Sequence, residues 1–148
     1  MKLKALLPIV FVMLFSFGCI KSVHKVVFHP SHELQKQESP FSDVVEYNGL
    51  LFLSGQIGLD HGTRTLVEGG VEAETKQSIE NIKAVLEHHQ SSLDKVIKCT
   101  VILGDIEYFA AFNAVYKTYF PNKPARTTFA ASGLALKARV EIEVVAAK

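Results

Sequence analysis

The sequence predicts an α+β fold, a six-stranded mixed sheet with two helices packed on one of its faces. Three observations lead there. Two segments carry apolar residues at helical spacing, runs rich in β-branched residues flank them, and an Asn-Gly pair sits between two apolar runs. The 148 residues suit one domain with a real core, and 48% hydrophobic against 21% charged residues argues for a folded chain rather than a disordered one.

Taken in order, residues 29–40, HPSHELQKQESP, form a polar, proline-bounded stretch expected to be a loop or an irregular strand. Residues 43–55 read as a hairpin about Asn48-Gly49, because both residues tolerate the positive φ of a type I′ turn. Residues 62–70 are turn-rich. From Val71 to Gln90, Thr75, Ile79, Ile82 and Leu86 make one apolar stripe, with Glu72, Glu74, Lys76, Glu80 and Lys83 around it, which predicts an amphipathic helix. Residues 94–105 are β-branched and read as a buried strand. Asp105 is a natural N-cap for a second helix that Pro121 ends, whose aromatic positions 108, 112, 116 and 119–120 point to core or interface.

Strands over 126–131 and 138–146 complete the order β, β-hairpin, α, β, α, β, β. In the last strand Val140, Ile142 and Val144 should meet the helices while Glu141 and Glu143 point away, because side chains alternate across a strand. Arg126, Thr128 and Ala130 share one parity on the neighbouring strand, which permits Arg126 to lie on the face of Glu141.

The N-terminus is organised differently. Met1-Lys2-Leu3-Lys4 is a basic start, Ala5 to Ile20 is uncharged, and Lys21 ends the run, which is the pattern of a secretory signal peptide. The run closes on Ser16-Phe17-Gly18-Cys19 and resembles a bacterial lipobox, with Gly18 and Cys19 matching and Ser16 departing from the usual Leu. The expected organisation is a signal peptide over 1–18, a tether with the first strand over 19–38, and the folded domain over 39–148. Cys19 would carry lipid, so the protein would be exported and membrane-anchored on the periplasmic or cell-surface side. An uncleaved anchor, an ordinary cleaved signal, or a cytoplasmic product started at Met13 are the alternatives.

Losing residues 1–18 removes Lys2 and Lys4 from 16 basic residues against 15 acidic ones, leaving a net charge near −1. No basic excess of the kind nucleic-acid binders carry is then visible. Cys99 would remain alone, which excludes an intramolecular disulfide and suits a small buried residue.

Arg126 poses the functional question, since it is the only charge from Pro124 to Ala131. By residue type alone, an arginine paired with Glu141 or Glu143 would explain it. Four segments in order add a second reading: SGQIG at 54–58, LVEGGVEAETKQSIENIKAVL at 66–86, FNAVY at 112–116 and PARTTFAASGLALKARVEIEVVA at 124–146. Together they resemble the RidA (reactive intermediate deaminase, YjgF) family, from about Pro40 to Ala146.

The resemblance implies a chorismate-mutase-like fold assembled as a homotrimer with its sites between subunits. It also implies a hydrolase that deaminates 2-imino acids, such as 2-aminoacrylate or 2-iminopropanoate, to 2-keto acids and ammonia, with no cofactor and no metal; the near-neutral charge of the mature chain argues against a nucleic-acid partner. Arg126 matches the substrate-binding arginine, whose guanidinium fork suits a carboxylate bidentately. Glu141 matches the glutamate that positions the attacking water and can act as general base.

Gly55 carries over as a main-chain contact to substrate, with Ser54 beside it. A simple bulge is the alternative reading of that glycine. Asn113 matches an asparagine near the cleft, and could equally be a satisfied polar group in the core. Glu143 reads as a structural or interface charge. Two departures bear on substrate preference: Phe41 stands where the family has Tyr and keeps the ring wall without the hydroxyl, and Thr128 stands where a Cys is typical.

His29, His32, His61, His88 and His89 form no recognised zinc spacing. Two other functions compete with the imine hydrolase: a trimeric module that binds small carboxylates in the cell envelope without turnover, and a ribonuclease or translation inhibitor.

Overall fold

A computed structural model describes residues 25–148. The expected signal segment 1–18 and the lipid-bearing Cys19 lie outside the described residues. The Asn48-Gly49 pair makes the turn its sequence calls for, with φ of 52° and 75°, and joins strand β2 (Val44–Tyr47) to β3 (Leu50–Leu53) with Tyr47 opposite Leu50. Strand β1 (Val27–His29) pairs antiparallel outside β2. Pro30 and the polar residues after it hold no ladder, and a single 3₁₀ turn at Leu34–Lys36 interrupts that loop.

After β3 the chain runs through β4 (Gln56–Ile57) and a short pair, β5 (Leu59–Asp60) and β6 (Thr65–Leu66), into helix α1 (Gly70–His88). Strand β7 (Val96–Leu103), helix α2 (Phe109–Tyr119), strand β8 (Ala125–Ala130) and strand β9 (Val140–Ala147) follow. The main sheet has the order β1-β2-β3-β9-β7-β8, with β4 also on β9; only the β7–β8 pair is parallel.

That is seven strands plus a separate two-stranded sheet, not the six expected. A bulge accounts for the extra strand. β3 pairs Leu50 with Ala147 through Phe52 with Val145, whereas β4 pairs Gln56 with Ile142, so the register slips by one residue across Leu53–Gly55. One long strand is thereby divided, and its side chains are re-aimed at the break. The turn-rich 62–70 region contributes the other small pair, since the Asp60 carboxylate accepts the amides of Gly62 and Thr63 and closes a tight turn between β5 and β6.

Both helices cover one face of the sheet. Ile79, Ile82, Val85 and Leu86 of α1 and Phe112 and Tyr116 of α2 are buried against Leu51, Val101, Leu103, Ile142 and Val144. Each such side chain contributes roughly 1.5–3 kcal/mol by leaving water. Asp105 caps the second helix as expected, accepting the Glu107 amide at 2.9 Å, and the first turn there is 3₁₀ rather than α.

Glu74 departs from the polar face expected of α1. It is fully buried, and its carboxylate accepts the Arg139 backbone N–H and the Arg139 Nη1, each at 2.6 Å. This ties α1 to the start of β9, where an unpaired carboxylate would be prohibitive. The other face of the sheet has no helix. Phe28, Phe52 and Phe129 stand exposed on it, at 68%, 41% and 45%, alongside Glu141 and Glu143. No helix among the described residues is long and apolar enough to cross a membrane.

Candidate functional site

The slip between β3 and β4 builds the first half of the site. Ile57 pairs with Glu141, so the glutamate lies across β4 from the bulge, and it points to the helix-free face as alternation requires. A side chain at Gly55 would collide with the Glu141 carboxylate, since a Cβ there would stand 2.9 Å from Cδ and 3.0 Å from Cγ. Gly55 is therefore both the bulge and the close approach. Burial raises the Glu141 carboxyl above its ordinary value of 4.5, and the nearby Glu143 charge adds to the rise.

Glu141 and Gly55 line a pocket of about 320 Å³ together with Phe41, Asp43, His61 and Leu136. Phe41 forms an exposed wall. The Ser54 hydroxyl donates to the Ser42 carbonyl at 2.7 Å and its amide to the Asp43 carbonyl at 3.0 Å, which leaves the hydroxyl oxygen able only to accept. These two bonds fasten the strand end on which Gly55 sits. Glu33 receives His61 Nδ1 at 2.6 Å and Lys36 Nζ at 3.1 Å, while both Asp43 carboxylate oxygens are buried without a hydrogen-bond partner. His61 is pushed below 6.5, first by burial and then by the Lys36 charge.

Arg126 stands elsewhere. Strand β8 pairs in parallel with β7 so that Arg126 is level with Cys99 and Thr128 with Val101, and these β7 residues face the helices. Arg126 therefore turns toward α2, on the face opposite Glu141. The same-face arrangement that the alternation permitted is not the one formed; the β8 register decides it. The guanidinium carbon lies 4.6 Å from the Tyr116 ring centroid, 5.4 Å from Phe112 and 5.8 Å from Phe109. Such contacts hold a cation by the ring quadrupole and keep it aimed. Arg126 forms no ion pair with Glu141, Glu143 or any other carboxylate among the described residues.

Arg126 opens onto a second hollow of about 440 Å³, shared with Asn113, Lys117 and Lys123. Asn113 thus sits beside the arginine rather than within the core. Thr128 is half-buried on the same side, and its hydroxyl oxygen has no hydrogen-bond partner. The Tyr116 hydroxyl donates to Cys99 Sγ at 3.2 Å, and burial holds both groups protonated, with Tyr116 lifted above its ordinary value of 10 and Cys99 above 9. Cys99 is a buried free thiol, as expected.

The candidate residues thus fall into two separate groups. Glu141, Gly55, Phe41 and the anchored Ser54 form one; Arg126, Asn113 and Thr128 form the other. No residue lines both hollows. Sequence reasoning missed the aromatic platform under Arg126, although the spacing of Phe112 and Tyr116 on α2 carries its signal. It also missed Asp43, Lys117 and Lys123, whose roles depend on which hollow they reach.

Four of the histidines group in space. His29 and His89 have ring centroids 4.6 Å apart, His32 and His88 4.5 Å, and His88 and His89 5.1 Å, at the junction of β1 with the end of α1. His29 also reaches Glu46 at 3.3 Å. No group of three or more His, Cys, Asp or Glu among the described residues is arranged to hold a metal ion.

Comparison with known proteins places these features in context. A profile of the endoribonuclease L-PSP family matches residues 32–148. Protein HMF1 of Saccharomyces cerevisiae is 45% identical over 109 residues, covering 73% of this chain and 84% of that protein. The 2-iminobutanoate/2-iminopropanoate deaminase of Mus musculus is 39% identical over 108 residues, covering 72% and 80%. Among solved structures, a protein of unknown function of the Rid family, YyfA from Yersinia pestis, superposes with a TM-score of 0.77 at 34% identity, covering 84% of this chain and 100% of that one.

Proposed function

The chain belongs to the endoribonuclease L-PSP (RidA) family, and on that premise we propose that it hydrolyses 2-imino acids to 2-keto acids and ammonia. The observation that carries this reading is Arg126: a half-buried guanidinium, stacked on three rings and without a carboxylate partner among the described residues. A fixed, unpaired fork of this kind fits a small carboxylate ligand. Relatives at about 40% identity that are named imine deaminases support the reaction class.

In this reading Arg126 holds the substrate carboxylate, and the main chain at Gly55 lies against the substrate beside the Phe41 wall. The main chain at Thr128 and the amide of Asn113 complete the arginine side. Glu141 accepts a proton from water as its oxygen bonds to the imine carbon. It then returns that proton to the nitrogen, and as the C–N bond of the tetrahedral amino-alcohol breaks and ammonia leaves, the hydroxyl gives its proton to the Glu141 carboxylate and becomes the keto oxygen. A carboxyl whose proton is held more tightly than usual suits that two-way traffic. The protonated imine is itself electrophilic, so the steps need only positioning and proton transfer.

Because Arg126 and Glu141 face opposite ways in one chain, the reaction needs a second copy. We assign the helix-free sheet face, with Phe28, Phe52 and Phe129, as the assembly surface of a homotrimer whose sites lie between subunits. A monomeric mass by light scattering at micromolar concentration would contradict it.

The test of the activity is ammonia or keto-acid release from freshly generated 2-iminopropanoate, scored against spontaneous hydrolysis, for residues 20–148 and an Arg126→Ala control. Acceleration that Arg126→Ala abolishes supports the assignment. A wild-type rate equal to background would favour a carboxylate-binding module instead. We further propose export and lipid attachment at Cys19. A Cys19→Ser form that still fractionates with membranes at the processed size of wild type would refute it.

A further inference from the structure

The hollow around Arg126 holds more positive charge than one carboxylate can use. Lys117 follows Tyr116 on α2, Lys123 precedes Pro124 in the turn that feeds β8, and both line the hollow with Arg126. None of its lining residues is acidic. Neither lysine makes an ion pair with a carboxylate among the described residues.

Helix geometry explains only one of them. Lys117 lies in the last turn of α2, where a cation complements the helix dipole. Lys123 is outside the helix, in a left-handed conformation with φ of 53°, its amide donating to the Phe120 carbonyl at 3.1 Å. Glycine or asparagine adopts that conformation more readily than lysine does. The chain nonetheless puts Asn122 before this position and lysine on it. Three cations around one concavity repel one another, and a ligand with two negative charges relieves that repulsion better than a ligand with one.

We propose that this site is selective for 2-imino dicarboxylic acids: the 2-carboxylate takes the Arg126 fork, and the side-chain carboxylate is held by Lys117 and Lys123. The proposal deepens the imine-hydrolase reading of the same site and rests on it. The two lysines act here in binding and in substrate choice, and the proton traffic stays with Glu141.

The experiment compares two imines, each generated in place by an amino-acid oxidase: iminosuccinate from aspartate and 2-iminopropanoate from alanine. Wild-type protein is expected to favour iminosuccinate in kcat/KM. In the Lys117→Gln/Lys123→Gln double variant that ratio should fall at least ten-fold, mainly through KM, because the lost contact is made equally in ground and transition states. The Lys117→Arg/Lys123→Arg variant should restore it, and 0.5 M salt should erode it in the wild type.

Equal losses on both imines, or no change in the ratio, would overturn the proposal. So would a double variant that loses its oligomeric state by light scattering, because the lysines would then pair with carboxylates of a second copy. If wild-type protein accelerates neither imine, the hydrolase reading fails, and calorimetry decides the charge inference on its own. 2-Ketoglutarate should then bind at least ten-fold tighter than 2-ketobutanoate, with the difference lost in the glutamine variant. Equal affinities would overturn it.

Discussion

The Glu141 carboxylate lies over Gly55, so close that a methyl group on that glycine would occupy the space of the carboxylate itself. The bulge between β3 and β4 creates this contact, because it turns the chain where β4 meets β9 at Glu141. Catalytic geometry in the proposed mechanism is therefore set by a backbone irregularity. A side chain at 55 acts on the general base before it can touch a substrate.

Gly55→Ala should accordingly displace Glu141 and lower kcat by about a hundred-fold, the order expected for losing a positioned base. The fold should survive, since the glutamate side chain is flexible and half-exposed. Steady-state kinetics beside a thermal melt checks this. A variant with normal kcat would show that the Glu141 position is unimportant.

Arg126 is held by three rings and by no carboxylate among the described residues, so its replacements separate packing from charge. Arg126→Lys keeps a cation over the rings and should lose no more than about 1 kcal/mol of stability, the scale of one such contact. It should nonetheless lose nearly as much activity as Arg126→Ala, because an ammonium cannot reproduce the bidentate fork. Urea denaturation and imine hydrolysis on the same preparations test the two halves of that statement.

The histidine cluster predicts a pH dependence of stability. His89 is depressed below 6.5, first by burial and then by the neighbouring His29, His88 and His32. A base with a depressed pKa in the folded state binds fewer protons there than in the unfolded chain. Its contribution is present above pH 6.5 and is lost as pH falls from 6.5 through the folded value. The melting temperature should therefore drop between pH 7.5 and 5. His32→Gln/His88→Gln, which removes two of the repelling rings, should flatten that drop. An unchanged slope in the variant would remove the cluster as its cause.

Much of the fold was legible because its signals are local. The Asn48-Gly49 turn, the Asp105 cap, the stripe of Ile79, Ile82 and Leu86, and the alternation of Val140, Ile142 and Val144 each follow from a residue and its near neighbours. Glu74 was misread for the opposite reason. Its partner Arg139 is 65 residues away, and nothing in α1 announces it. The facing of Arg126 was undecided in the same way. Alternation states which residues share a face along one strand, and only the pairing of Arg126 with Cys99 states which face that is. The bulge at Leu53–Gly55 was visible as a glycine, but its effect on strand count depended on a register set by β9.

The central claim is that one active site uses Arg126 of one copy and Glu141 of another. Refolding or co-expressing Arg126→Ala and Glu141→Gln chains in equal amounts tests it most directly. Each variant alone should be inactive toward 2-iminopropanoate. Over all trimers formed by random assembly, about one quarter of the sites should pair an intact arginine with an intact glutamate, about one site in each trimer that contains both chains. The mixture should then recover about one quarter of the wild-type rate. A mixture that forms hetero-oligomers yet stays as inactive as its two components would contradict the account.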